Sequence, residues 1–158
     1  MVLATMILIT STALLFYYLQ SACEKVLQRE FVHEFFHAIV NANRLEFPFV
    51  RQAIEEFNAP LDYEQFRMQL KCDFLALTYL LKNAANEKQR LSRDERMLTV
   101  YFQFLSFILS IFHWFGVGEK SFFLRLISIL QYFGNVLGER VSKVRFGNIT
   151  ASEYLLSL

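Results

Sequence analysis

The residue types best suited to chemistry lie together in one short stretch, His33-Glu34-Phe35-Phe36-His37, which reads H-E-x-x-H. On a helix the two imidazoles fall one turn apart on the same face, where they can grip one Zn2+. The glutamate beside the first can polarise a metal-bound water as general base. His33 and His37 are the candidate metal ligands, zinc is the cofactor they would take, and Glu34 is the candidate catalytic base.

The pattern resembles that of the zincin metallopeptidases, and the resemblance covers these five residues only. Larger zincin families supply a third ligand through an H-x-x-G-x-x-H extension, but Asn43 and Arg44 follow here, and no downstream Glu-x-x-x-Asp appears. Glu55, Glu56, Asp62, Glu64, Asp73 and His113 are the conceivable third ligands. Site-2-type membrane proteases carry the motif inside a transmembrane segment, whereas here Arg29, Glu30, Asn41 and Arg44 share its helical face. A catalytic zinc wants a dry, shaped cavity. The expectation is therefore a solvated or partner-facing polar surface, with zinc hydrolysis as the alternative. Axial ligation of a haem or chlorophyll-like pigment in a neighbouring subunit is a further use for the histidines, although nothing specific asks for it.

What must position these residues is a greasy chain. It has 54% hydrophobic residues, 20% charged residues and 18 Phe among 158 positions, but only 5 Gly and 2 Pro. Few breakers and long apolar runs predict long helices, with more apolar surface than one small core buries. A net charge of +1 without a concentrated basic face excludes nucleic acid as a partner. Cys23 and Cys72 have no C-x-x-C neighbour and read as two reduced thiols.

Val2 to Leu19 holds no charge, Gly or Pro. About 18 residues at roughly 1.5 Å each reach most of the way across a hydrocarbon core of about 30 Å. Tyr17 and Tyr18 stand where amphipathic rings prefer the headgroup boundary. A cleavable signal is the competing reading, since Tyr18 to Cys23 has lipoprotein-like small residues. The stretch lacks a basic n-region, however, and Gln20 stands where such a site wants an aliphatic. With Lys25 and Arg29 just after the span and only the α-amino group before it, the expected orientation is N-terminus outside and the rest cytoplasmic.

Beyond the anchor, Leu27, Phe31, Phe35, Ala38, Ile39 and Ala42 recur at helical spacing and predict one amphipathic helix from Glu24 to about Arg44. Pro48 is expected to interrupt, with a short helix over Val50 to Phe57. A turn at Asn58-Ala59-Pro60 should then lead into a helix from Pro60 or Asp62 to about Ala85, with Phe66, Leu70, Phe74, Leu77 and Leu81 on its core face. Ser92-Arg93-Asp94-Glu95 has the spacing of a capping box opening a helix that runs through Leu98 to Phe115 and stops at Gly116 and Gly118. Ser121 to Leu137 should pack against it as an antiparallel hairpin. A short mixed C-terminal segment follows, with Thr150 to Glu153 as another capping box before a last helical turn.

The expected architecture is all-α: a transmembrane anchor over 1–22 and a helical bundle over 23–158, with the hairpin 97–138 as a second candidate for membrane embedding. Surplus apolar surface without a complete catalytic set predicts a non-catalytic accessory or assembly subunit of a larger membrane complex. Its partners would be the lipid bilayer and other transmembrane subunits. The expected contact residues are Leu8, Leu15 and Phe16 on the anchor, and the aromatic run Phe102 to Phe112. A minimal zinc peptidase and a binder of an apolar ligand or pigment are the alternatives.

Overall fold

The computed structural model describes residues 2–31, 35–56, 62–83, 91–115 and 119–156, with side chains described in the last segment for 120–143. Its six helices are α1 Val2–Leu27, α2 Phe36–Asn43, α3 Phe47–Glu56, α4 Tyr63–Asn83, α5 Arg93–Phe115 and α6 Glu119–Leu156. No strand occurs among the described residues. The fold is all-helical, a long apolar N-terminal helix followed by a bundle.

The bundle is organised around α6, which touches each of the other five helices. Its Phe123, Ile127, Leu130 and Phe133 are fully buried, and they meet Leu70, Phe74, Leu77 and Leu81 of α4 and Leu98, Leu105 and Leu109 of α5 in one core. The α4 stripe is the one expected from its spacing. Phe74 stacks on Phe102 with centroids 3.9 Å apart. Phe112 lies 5.1 Å from Phe122 near the α5–α6 connection, and Glu95 pairs with Arg140 at the far end, so the two helices form the antiparallel hairpin expected.

Local signals hold where they are self-contained. Ser92 and Glu95 make the capping box: the Ser92 amide donates to Glu95 Oε2 at 3.0 Å and the Glu95 amide to Ser92 Oγ at 3.3 Å. Asp62 caps α4 through the Gln65 amide at 3.3 Å. Glu95 then does more than cap. It is 3% exposed and bonds Arg140, whose other guanidinium nitrogen donates to the Leu81 carbonyl at 3.1 Å. One arginine thus ties the end of α4 and the start of α5 to α6.

Three expectations are corrected. The single helix over 24–44 is broken: α1 ends at Leu27 and α2 begins at Phe36. The break lets Phe31 set its ring edge-on to Tyr132 at 5.5 Å, while Arg29 reaches Glu139 at 3.4 Å. The restart is offset too, so Phe36, Ile39 and Val40 are half-buried whereas Ala38 and Ala42 are exposed. Second, Pro48 sits inside the first turn of α3, a position that needs no amide hydrogen bond. Third, α6 continues for 38 residues instead of stopping near Leu137, so Thr150 to Glu153 lie within a helix rather than opening one. The helix α1 itself runs from Val2 to Leu27 without a break. The turn at 58–60 and the glycines at 116 and 118 lie outside the described residues.

The continuation of α6 rests on Gly134 and Gly138, four residues apart on one face. A Cβ on Gly138 would overlap the Cβ of Phe35 and approach its Cγ to 2.8 Å, and a Cβ on Gly134 would come within 3.2 Å of the Phe36 Cβ. These glycines are where the segment opening α2 lies down on α6.

Candidate functional site

This docking takes up the last three residues of the H-E-x-x-H stretch. Phe35 and Phe36 occupy the two glycine positions of α6, and the Phe36 amide donates to Asn135 Oδ1 at 3.0 Å, which starts α2 there. His37 follows, exposed, its ring 3.9 Å from that of Phe36. His33 and Glu34 lie outside the described residues. At the other end Arg44 closes α2 in the left-handed conformation, φ 52°, its amide bonded to the Val40 carbonyl.

Of the conceivable third ligands, all but Glu64 have other engagements, Asp62 as the cap of α4. Glu55 pairs with Arg51 at 2.9 Å, Glu56 accepts from Gln52 at 3.0 Å, and the ring of His113 stacks on Tyr63 at 3.6 Å. Asp73 is the most informative. Its Oδ2 accepts the amides of Glu46 and Phe47 at 2.8 and 2.7 Å, so a carboxylate from α4 caps α3 across the core. Burial pushes the Asp73 carboxyl above its ordinary value, and the two amides pull it back in part. Among the described residues no three His, Cys, Asp or Glu side chains converge as a metal site would require.

The contact residues fall into two classes. Leu8 and Leu15 are 69% and 66% exposed, and every described residue of α1 before Phe16 is exposed. The hydroxyls of Thr5, Thr10 and Thr12 donate back to the carbonyls of Val2, Met6 and Leu8. The polar atoms of these threonines are therefore satisfied within the helix, as hydrocarbon demands. Phe16 is half-buried and stacks on Phe104 at 4.2 Å. Further along, Cys23 is fully buried and Glu24 stands 3.8 Å from Arg125, which fastens α1 to the hairpin. Phe102 is corrected: it is buried in the core, while Phe104 and Phe107 are the members of its run that reach the surface. Phe112 is partly exposed at the hairpin end.

Three helices are long and apolar enough to cross a membrane, α1 with mean hydropathy 1.9, α5 with 1.5 and most of α6 with 1.2. Only in α1 does the apolar window lack any burial within the chain; the equivalent stretch of α6 is mostly core.

Cavities also mark the surface of the described residues. A groove of about 310 Å3 between α4 and α5 has Phe74 and Phe102 on its floor and Arg67 and Lys71 on its rim. A polar hollow of about 570 Å3 lies among Arg29, Arg51, Gln131 and Asn135. Neither was visible from sequence. The groove is lined from both helices, by Arg67, Lys71 and Leu75 of α4 and by Gln103, Ser106 and Phe107 of α5, and no spacing within one helix announces such a pairing. Compared with known proteins, the chain matches no family model, no curated protein and no solved structure.

Proposed function

We propose that this chain is a single-pass membrane protein whose helical bundle is held against the bilayer and serves as a non-catalytic accessory or assembly subunit of a larger membrane complex. The observation that carries the reading is the division of labour in the chain's apolar residues. The bundle closes its own core with α2 to α6 and the last turns of α1, while Val2 to Leu15 stays exposed along its whole length. So long an apolar surface is stable against lipid tails or other transmembrane helices, and not in water. Lys25 and Arg29 after the span support a cytoplasmic bundle by the positive-inside rule.

The test is purification of the full chain in a mild detergent, followed by native mass spectrometry and metal analysis. The expected result is recovery with other transmembrane subunits in fixed stoichiometry and without bound zinc. Recovery of the chain alone, or with one zinc per chain that a His37→Ala variant loses, overturns the proposal.

A further inference from the structure

The face of α5 turned away from the core is apolar from Val100 to Trp114, after the exposed Arg93 and Arg96 of its first two turns. Val100, Phe107 and Trp114 are 57%, 64% and 88% exposed, and Ile111 is exposed with them. At 100° per residue these four and Phe104 fall within an arc of about 80°. Phe104 is the member of this stripe that carries the ring of Phe16, and Phe16 belongs to the apolar stretch of α1. A side chain stacked on a residue near the inner end of a transmembrane span stands at the edge of that span. The stripe is therefore continuous with the surface that α1 gives to lipid.

On its other flank the stripe borders the α4–α5 groove. Arg67 and Lys71 are exposed on the groove's rim, and Met68 and Leu75 of α4 are exposed beside them. An apolar ridge edged by long cationic side chains matches the headgroup–acyl boundary. Rings and aliphatic chains enter the boundary, tryptophan sits at its level, and the cations reach lipid phosphates while their stems stay on apolar ground.

We propose that the outer face of α5, from Val100 to Trp114, lies in the surface of the same bilayer that α1 crosses, with Arg67 and Lys71 taking the phosphates of anionic lipids. The bundle thus has two membrane contacts, the span and an in-plane helix face. This inference rests on α1 being the span, and the experiment separates the two.

The full chain carrying Cys72→Ser, which leaves only the buried Cys23, receives single cysteines at Leu8, Phe107 or Lys120. Each variant is spin-labelled and reconstituted in nanodiscs of phosphatidylcholine with or without phosphatidylglycerol. Circular dichroism confirms that each is folded. Collisions with oxygen and with a water-soluble nickel chelate report depth. The expected result is an oxygen-to-nickel collision ratio several-fold higher at 107 than at 120, rising further with phosphatidylglycerol, and a rise that R67E/K71E abolishes. A water-like label at 107 with a lipid-like label at 8 overturns the inference and leaves the span standing. A label at 107 shielded from both reagents means that a second copy covers the stripe, and overturns it too. A water-like label at 8 removes the span and the inference together.

Discussion

The Asp73 carboxylate accepts the Phe47 amide at 2.7 Å across 26 residues of chain, and the same oxygen holds the Glu46 amide. The start of α3 is thereby capped by α4 rather than by its own neighbours. Asp73→Ala leaves two amides without this acceptor and should lower stability by about 1–3 kcal/mol. Asp73→Asn keeps an acceptor and should lose less. Burial raises the Asp73 carboxyl, so the folded chain holds this proton more tightly than the unfolded one. The stability gained from protonation is full below the unfolded carboxyl value and is lost as pH rises through the folded value. Thermal melts in detergent across mildly acidic pH should show wild type gaining on Asp73→Asn as pH falls; a constant gap refutes the assignment.

Gly138→Ala should destabilise by about 1–3 kcal/mol, because its methyl must displace Phe35 from a close-packed contact. Gly134→Ala meets Phe36 at 3.2 Å, a contact that yields by small shifts, and a helical Gly→Ala exchange gains up to about 1 kcal/mol of propensity. Denaturation of the two variants should therefore separate clearly, with Gly134→Ala near wild type. Equal behaviour would mean that α2 does not rest on these glycines.

Removing Arg140 strands a buried carboxylate. Arg140→Ala should lose about 3–5 kcal/mol, while Glu95→Gln, which can still accept the Ser92 amide, should lose less. Chemical denaturation with amide hydrogen exchange would show the loss centred on the start of α5. Larger damage from Glu95→Gln would contradict the ion pair as the main role of Glu95.

Leu8→Arg places a cation in the middle of the span at a cost of about 2.5–3.5 kcal/mol. The fraction of chain resisting alkaline carbonate extraction should fall, whereas Gln52→Arg, on the exposed face of α3, should leave it unchanged. Equal extraction of both variants would remove α1 as the anchor.

The legible parts of this molecule are those written within a few residues. Ser92 and Glu95 announce α5 because both partners of the box are local, and the α4 stripe from Leu70 to Leu81 is correct because one face meets one core. The break before α2 was not legible: Leu27, Phe31 and Phe35 keep helical spacing straight through it. What redirects the chain is remote, the Asn135 side-chain oxygen Oδ1 for the Phe36 amide and the bare faces of Gly134 and Gly138 beneath the two phenylalanines. Asp73 stood among conceivable metal ligands because a carboxylate on an apolar helix face shows no partner until the start of α3 folds onto it. The H-E-x-x-H pattern suffered in the same way, since its two central positions serve the junction with α6.

The helix that begins at Val2 does not end where its lipid-compatible stretch does; it continues to Leu27 with Cys23 sealed in the bundle. If α1 is the span, one uninterrupted helix then sets how far the bundle stands from the bilayer, and a residue inserted between Leu19 and Cys23 would rotate the bundle by about 100° about the axis of α1.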